Sequence, residues 1–313
     1  MGFGNSACAS WQSRHVVALI VLNHNRKQML LECLRHAEAS SYEALHIVMV
    51  DNGSTDGSVE AVESFHPKVR VVRNTVNVGV AGGRNTGIRW VKEHLNVRYV
   101  VFIDNDTLLD RDAIAQLVAA VRDDDRIGLA APKAYRSKEN KMLVSAGGMH
   151  FNPYTGVVRD VASGRMDRGQ YNRSKEIQAC PGFAFLVRCE VFPRVGYFDE
   201  TFNPYGWEDI DFSLRARRAG FRIAYAPAAI IYHTGGRAGR GVVSLYEHHK
   251  ARNMLYFIKR HTTMLQWIVF LCVLPIRTLV RITREIGSGN GGVVLTWLNS
   301  LRKSDRKGTG NTL

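Results

Sequence analysis

Two carboxylates close an apolar segment of the chain, and their spacing is the feature most able to support chemistry. The segment reads "YVVFIDNDTLLD" (99–110) and places Asp104 and Asp106 two positions apart. Carboxylate oxygens are the ligands that hard divalent cations prefer, so the pair predicts a metal site. Short acidic clusters also cap helices, and a helix beginning near Asp110 or Asp112 is the competing interpretation.

The elements around this pair alternate between strands and helices. Apolar, β-branched segments predict four strands, at 16–25, 45–51, 69–74 and 98–104. Segments with helical spacing lie between them, and one opens from the glycine turn "GGRNTG" (82–87). Near-continuous apolar strands alternating with amphipathic helices predict a mostly parallel sheet covered by helices, an α/β fold.

Polar residues stand where these predicted strands end. They are Asn23, Asn25, Asp51, Asp104 and Asp106. Because ligands of parallel sheets bind beyond the carboxyl ends of the strands, we expect these side chains to line one crevice.

Length and charge set the wider organisation. The chain has 313 residues, and we expect a disordered N-terminus (1–14), a main α/β domain (15–260) and a basic, apolar helical tail (261–313). The net charge is +14, and the chain from Gly235 onward holds thirteen Lys or Arg against three acids. Such a charge is compatible with a nucleic acid, an anionic lipid or a phosphorylated substrate as partner. No nucleic-acid-binding module is recognisable, so we expect no nucleic-acid partner.

The tail combines an apolar segment with arginines. "MLQWIVFLCVLPI" (264–276) is short for a bilayer crossing, and Arg277, Arg281 and Arg284 follow on one predicted helical face. A basic amphipathic helix beside an apolar segment indicates peripheral attachment to an anionic membrane surface. Packing on the catalytic domain or in a homo-oligomer is the alternative.

Two enzyme classes with related motifs fit poorly. Phosphotransferases of the haloacid-dehalogenase type open with "hhhhDxDxT", whereas here Thr107 directly follows Asp106 after three earlier strands. Dinucleotide-binding enzymes need GxGxxG after their first strand, whereas "GVAGGRNTG" (79–87) has another spacing and follows the third.

Seven segments in order resemble the family 2 glycosyltransferases of the GT-A fold, and in particular their rhamnosyltransferase-like branch. They are "VALIVLNHNR", "IVMVDNGSTDGS", "NVGVAGGRNTGI", "VFIDNDTLLD", "GGMHFNPYTG", "GYFDETFNPYGWEDIDFSLRARRAGFRIAYAPAAIIYHTGG" and "YEHHKARNMLYFIKRH". The resemblance implies a Rossmann-like, mixed and mostly parallel sheet, with a nucleoside diphosphate-sugar as donor. It covers roughly residues 16–260.

The resemblance also implies roles in donor and metal binding. Asp106 would be the direct ligand of Mn²⁺ or Mg²⁺, Asp104 would contact the ribose or the metal through water, and His233 would be the later metal ligand. Asp51 would accept a base N–H, and Arg84 and Asn85 would donate to phosphate. The remaining donor-binding candidates are Asn23, Asn25, Asn77 and Gly83.

The acidic turn in "GWEDIDFSLRARRAG" supplies the implied catalytic residues. Acids in a first helical turn are favoured by the helix dipole, which explains the turn without any catalysis. In the family context, Asp209 becomes the general base for the acceptor hydroxyl with Glu208 beside it, and Trp207 and Asp211 would bind the acceptor.

These expectations describe an inverting, metal-dependent transferase acting on a lipid-linked or cell-surface glycan. A non-catalytic nucleotide or glycan binder of the same fold is the alternative, with a DxD phosphotransferase behind it. Five widely spaced cysteines without a ligand pattern indicate reduced thiols and a cytoplasmic protein. Together with the basic, apolar tail, this predicts a location at the inner face of the membrane.

Overall fold

A computed structural model describes residues 15–235 and 240–287, with side chains undescribed at 240–248, 281 and 284–287. The predicted disordered segment 1–14 lies outside these residues, as do the tail beyond residue 287 and the side chains of Arg281 and Arg284. The described residues form two compact units. Of the described residues, the first unit draws on 15–150, 159–200 and 208–235, and the second on 151–158, 201–207 and 240–287. The predicted division at residue 260 stays a prediction.

Twelve strands occur in the described residues. They are β1 Val17–Asn23, β2 Leu45–Asn52, β3 Arg70–Asn74, β4 Tyr99–Asp104, β5 Thr107–Leu109, β6 Ile127–Tyr135, β7 Leu143–Ser145, β8 Met149–Asn152, β9 Val157–Asp160, β10 Lys175–Glu176, β11 Ala184–Arg188 and β12 Arg222–His233. The four predicted strands are confirmed as β1 to β4.

The same residues contain eight α-helices. They are α1 Lys27–Glu38, α2 Ser58–Phe65, α3 Gly79–His94, α4 Ala113–Ala119, α5 Val191–Val195, α6 Glu208–Arg218, α7 Arg240–His261 and α8 Met264–Gly287. None of these described helices has the length and apolar character needed to span a membrane.

The main sheet runs in the order β10-β12-β6-β11-β4-β1-β2-β3, with β5 added to β12 and β7 to β6. Strands β3, β2, β1 and β4 are mutually parallel, as are β6 and β12. Strand β11 is antiparallel to both β4 and β6, so the predicted mixed, mostly parallel sheet is confirmed.

Alternate side chains of each central strand enter opposite layers of the core. In β1, Leu19 belongs to the core layer that contains apolar residues of α1 and α4, whereas Ile20 belongs to the layer that contains those of α3 and α6. Burial on both faces explains why β1 and β4 read as continuous apolar segments in the sequence. Gly87 brings α3 close to the sheet, since a Cβ there would lie 2.9 Å from Ile20 Cγ2.

In the second unit, α7 holds the segment that precedes α6 in the chain. The buried Asn253 side chain donates to the carbonyls of Phe202, Tyr205 and Gly206 at 2.6, 3.1 and 3.1 Å. Phe257 of the same helix packs edge-to-face on Phe151. Asn253, which lies in the segment "YEHHKARNMLYFIKRH", therefore anchors the 201–207 segment.

Candidate functional site

The two carboxylates of the DxD motif lie where β4 ends, with Asp104 as the last residue of the strand and Asp106 on the short turn before β5. Strand β5 leaves β4 and pairs antiparallel with β12, which brings Thr107 opposite His233. Asp106 therefore lies where the ends of β4 and β12 meet. Helix α4 begins only at Ala113, after β5, so the alternative that Asp104 and Asp106 cap this helix is wrong.

Asp106 and His233 are in direct contact. Asp106 Oδ1 lies 3.3 Å from His233 Nδ1, and the Asp106 side chain is only 9% exposed. The imidazole stacks on the Phe183 ring, and its Nδ1 lies 3.3 Å from the Thr107 hydroxyl. Burial lowers the pKa of His233, but the hydrogen bond and charge of Asp106 outweigh burial and raise it above its ordinary value.

Asp104 faces a different partner. Its Oδ1 accepts a hydrogen bond from Arg84 Nη2 at 3.2 Å. Burial raises the pKa of the Asp104 carboxyl, the Asp106 charge adds to the rise, and the Arg84 charge opposes it. The two acids of the motif thus face different neighbours although one residue separates them.

Arg84 joins the DxD motif to the acidic turn of α6. Its guanidinium donates to Asp104 Oδ1, to Glu208 Oε1 at 3.3 Å and to the Gly182 carbonyl at 2.7 Å. Its side chain is 3% exposed and lies over the rings of Phe185 and Phe198. We refer to Asp104, Arg84 and Glu208 as the arginine bridge. The donation of Arg84 to phosphate stays a prediction.

Glu208 is the buried end of the arginine bridge. Its Oε2 is buried, and no described group forms a hydrogen bond with it. Burial raises the pKa of Glu208 to about 7, the Asp209 charge adds to the rise, and the Arg84 charge opposes it. A carboxyl with this pKa exchanges its proton near neutral pH.

The other two acids of α6 differ in exposure. Asp211 is fully buried, and its Oδ2 accepts from Arg215 Nε at 2.7 Å. Arg215 in turn donates to the carbonyls of Val195 and Tyr197, which makes the pair a structural brace, and the contact of Asp211 with an acceptor stays a prediction. Asp209 is half-buried, and its Oδ1 accepts from the Ile210 N–H.

Gly182 leaves room for Asp209. A Cβ at this position would lie 2.7 Å from Asp209 Oδ2, which is closer than real Cβ contacts allow. The glycine of "CPGFAF" thus fits the acidic turn, a reason that the sequence alone does not reveal.

A polar network covers the ends of β1 and β2. Asn23 Nδ2 donates to Asp51 Oδ1 at 3.4 Å and to Ser54 Oγ at 3.2 Å, and Asn105 Nδ2 donates to Asn23 Oδ1 at 2.6 Å. Asn25 accepts from the Thr55 N–H at 2.7 Å. The expected convergence of Asn23, Asp51 and the DxD turn at one edge of the sheet is therefore observed.

Three further predicted donor contacts have mainly structural neighbours. Asn77 Oδ1 accepts from the Gly79 N–H at the start of α3. A Cβ on Gly83 would lie 2.4 Å from Leu22 Cδ1, so Gly83 lets α3 approach β1. The Asn85 amide donates to the Phe198 carbonyl and to Glu200 Oε1. Their donor-binding roles stay predictions.

Trp207, predicted to bind the acceptor, belongs to the second unit. Its Nε1 donates to the Lys250 carbonyl at 3.0 Å, and its ring is tilted against Phe257. These contacts fix the indole, and its role as a sugar platform stays a prediction.

Arg26 was missed by sequence reasoning. Its Nη1 lies 3.0 Å from Asp106 Oδ2, on the carboxylate that also meets His233. The available signal was its position: Arg26 is a basic residue directly after the polar end of the first strand, in "NHNR".

The side chains present fit a divalent cation as a partial set of ligands. A carboxylate oxygen and an imidazole nitrogen are both ligands of divalent metals, and Asp106 and His233, whose Oδ1 and Nδ1 lie 3.3 Å apart, would offer one of each to the same ion. No three His, Cys, Asp or Glu side chains of the described residues form a ready-made cage. Oxygens of a bound substrate or water would have to complete the coordination.

Comparisons with known proteins agree with this architecture. The family model described as "Glycosyl transferase family 2" matches residues 18–196. The N-acetylglucosaminyl-diphospho-decaprenol L-rhamnosyltransferase of Mycobacterium tuberculosis is 25% identical in an alignment 276 residues long that covers 79% of this chain and 85% of the relative.

Two solved structures share the fold, each with a TM-score of 0.60 and 16% identity. The mannosyltransferase PcManGT from Pyrobaculum calidifontis, in complex with GDP-Man and Mn²⁺, is covered over 89% of its length and 94% of this chain. GalNAc-T7 with UDP, GalNAc and Mn²⁺ is covered over 48% of its length and 78% of this chain. The predicted GT-A fold is thereby confirmed.

The raised pKa of Glu208 gives a prediction for stability. Because the folded carboxyl holds its proton up to about pH 7 whereas the unfolded one releases it near 4.5, the wild type should lose stability as the pH rises through this window. Glu208→Gln cannot ionise. The stability of this variant relative to wild type, measured as the difference in unfolding free energy, should therefore increase by about 2–3 kcal/mol from about pH 5 to about pH 8.

Urea denaturation at the two pH values measures this difference. Glu60→Gln, which removes an exposed carboxylate on α2, is the matched control and should show no such change. An equal effect of Glu208→Gln at both pH values would contradict the raised pKa.

Proposed function

The chain belongs to glycosyl transferase family 2, and on this premise we propose that it transfers a sugar from a nucleoside diphosphate-sugar to a hydroxyl of a lipid-linked or polysaccharide acceptor, with inversion at the anomeric carbon. The contact between Asp106 and His233 at the end of the parallel strands is the observation that carries the proposal. The lipid-linked substrate in the name of the mycobacterial relative supports the acceptor class.

The donor would lie along the carboxyl ends of β1, β2 and β4. Asp51 would accept a base N–H there, and the buried Asn23 amide keeps that carboxylate in place through its hydrogen bond. Asp104 would contact the ribose or metal-bound water, while Arg84 holds its carboxylate in one orientation.

Asp106 and His233 would hold Mn²⁺ or Mg²⁺. The ion supplies charge neutralisation for the diphosphate leaving group. The structural relatives that contain Mn²⁺ support this class of ion. His233 must be deprotonated at Nδ1 to offer the lone pair of that nitrogen to a metal. The Thr107 hydroxyl can then donate to the Phe183 carbonyl, 3.2 Å away, and leave this lone pair to the metal.

Asp209 would act as the general base on the acceptor hydroxyl. Of the three acids that open α6, Glu208 and Asp211 are buried and each holds an arginine, whereas Asp209 is half-buried. A base that takes the acceptor proton allows one in-line displacement at the anomeric carbon, which inverts its configuration. A carboxylate that attacked the sugar itself would instead give a covalent intermediate.

The exposed face of α8 supports attachment to a lipid surface. Successive residues of an α-helix are about 100° apart, and the exposed large side chains of α8 fall within about half of its circumference. They are Met264, Leu265, Ile268, Leu271, Ile276, Leu279 and Val280. We refer to these seven residues as the apolar face, and a lipid surface is the partner that would cover so continuous a band.

One of the three tail arginines has a partner within the protein. Arg277 Nη1 donates to the Thr155 carbonyl within the second unit, so this guanidinium is engaged by protein. Arg281 and Arg284 have no described side chains. We therefore propose a peripheral attachment, at the inner face of the membrane, that depends mainly on apolar contact.

The first prediction for this function concerns the metal. Asp106→Asn removes one charge from the metal site, so sugar transfer in the presence of Mn²⁺ should fall at least about 10²-fold. Chelation should abolish the wild-type activity. A panel of nucleoside diphosphate-sugars, with the release of free nucleoside diphosphate as the readout, measures both effects.

Asp123→Asn, at a carboxylate 82% exposed, is the matched control and should keep full activity. Wild-type activity of Asp106→Asn in excess chelator would exclude the metal site. Donor binding without turnover would indicate a binding protein, and phosphate release from simple monoesters would indicate a phosphotransferase.

The second prediction concerns the base. Asp209→Asn keeps the shape of the side chain and removes its basicity, so turnover should fall by about 10²–10⁴ while donor affinity stays within about twofold. Steady-state kinetics and calorimetric donor binding separate these quantities. Near-normal turnover, or a product that retains the anomeric configuration of the donor, would assign the role to another residue.

The third prediction concerns attachment. Leu265→Gln and Ile276→Gln place polar groups on the apolar face. Burial of one large apolar side chain in lipid contributes about 1.5–3 kcal/mol of binding free energy, so each substitution should weaken vesicle binding about tenfold or more. Because apolar contact is not screened by salt, wild-type binding should persist on neutral phosphatidylcholine vesicles at high ionic strength. Vesicle co-sedimentation measures both.

Phe65→Gln, at an exposed aromatic residue of α2, is the matched control and should leave sedimentation unchanged. If the α8 variants bind vesicles like wild type, the apolar face is not the anchor. If they instead dissociate a dimer in light scattering without vesicles, a second copy of the chain covers the face.

A further inference from the structure

Arg26 lies on the proposed metal ligand Asp106. The guanidinium Nη1 is 3.0 Å from Asp106 Oδ2, while the other carboxylate oxygen lies 3.3 Å from His233 Nδ1. Both oxygens of this nearly buried carboxylate therefore already have a partner. A divalent cation bound to Asp106 would stand beside the guanidinium charge and be repelled by it.

The two arginines near the DxD motif differ in their freedom to move. The Arg84 side chain is 3% exposed and donates to Asp104, to Glu208 and to a backbone carbonyl, so it is fixed. The Arg26 side chain is 40% exposed, and within residues 15–235 and 240–287 its ion pair is with Asp106. A half-exposed guanidinium held by one carboxylate can turn into solvent at small cost.

Its place in the chain gives Arg26 this position. Arg26 precedes α1, which begins at Lys27, and its own carbonyl accepts from the Leu30 N–H in the first turn of the helix. The backbone at residue 26 is therefore fixed by the helix, while the side chain extends from it toward the β4–β5 turn. Rotation of the side chain alone is enough to release Asp106.

We propose that Arg26 competes with the divalent cation for Asp106, so that its guanidinium neutralises the carboxylate before metal binds and must leave it when metal binds. This inference rests on the proposed function, because it takes Asp106 and His233 as the metal ligands. Arg26 is then a positioning residue whose charge sets the affinity of the site for its ion.

Mn²⁺ titration of the full chain, followed by electron paramagnetic resonance of the free ion, tests the inference without any turnover. R26Q should bind Mn²⁺ about three- to tenfold more tightly than wild type, because a nearby positive charge is lost. R26K keeps the charge and should stay within about twofold of wild type. R35Q, at an arginine of α1 that is 68% exposed, is the matched control and should not change the affinity.

Each other result overturns the inference. Unchanged or weaker Mn²⁺ binding by R26Q would show that Arg26 does not compete, and equal tightening in R26K would show that charge is not the cause. If R26Q does not fold, as judged by its thermal unfolding, R26M makes the same test. Absence of Mn²⁺ binding by the wild type, with or without a nucleoside diphosphate, would remove the metal site of the proposed function itself.

Discussion

The buried guanidinium of Arg84 is the interaction on which the site depends. A guanidinium that is 3% exposed is tolerated only when its charge is paired and its donors are used, and Asp104, Glu208 and the Gly182 carbonyl meet this need. Breaking such a pair by removing one partner costs about 3–5 kcal/mol, since a charge is left buried without compensation. The arginine bridge thus ties α3, β4 and α6 to one another.

The arginine bridge also divides the acids of the site by task. Glu208 accepts a hydrogen bond from Arg84. Burial raises the pKa of Glu208 to about 7, and the Asp209 charge adds to the rise. Asp211 is committed to Arg215 in the same helix. Asp209 is left between two buried acids that fix the first turn of α6, and it retains contact with solvent. A rigid turn carrying one accessible carboxylate is what a positioned base requires.

Sequence reasoning predicted the sheet and the location of the site because both follow from local patterns. Apolar runs that end in Asn23, Asp51 and Asp104 must meet at one edge if their strands are parallel, and they do. The contact between His233 and Asp106 was not available from periodicity, because it depends on β5 crossing to β12. It was expected only from resemblance to the family.

The contacts that sequence reasoning did not foresee have one physical origin, which is that a sequence shows charges but not which of them pair in the folded chain. Asp211 has Arg215 four residues later, and this helical spacing was the signal that its carboxylate is used within α6. Arg277 shares a face with two other arginines in the sequence, yet its guanidinium meets a backbone carbonyl. Arg26 pairs with an acid from another strand, a contact that no local pattern specifies.

The pairing of β5 with β12 has a consequence for synthesis of the chain. Thr107 and His233 face each other across these strands although they are 126 positions apart. A ribosome therefore releases the DxD turn long before it adds the histidine that meets it. Until β12 is in place, a nascent chain carries Asp106 without this partner, and a product that stops short of residue 233 lacks one of the two proposed ligands. Assembly of the proposed ligand pair thus depends on β12, because only a chain translated through this strand contains both Asp106 and His233.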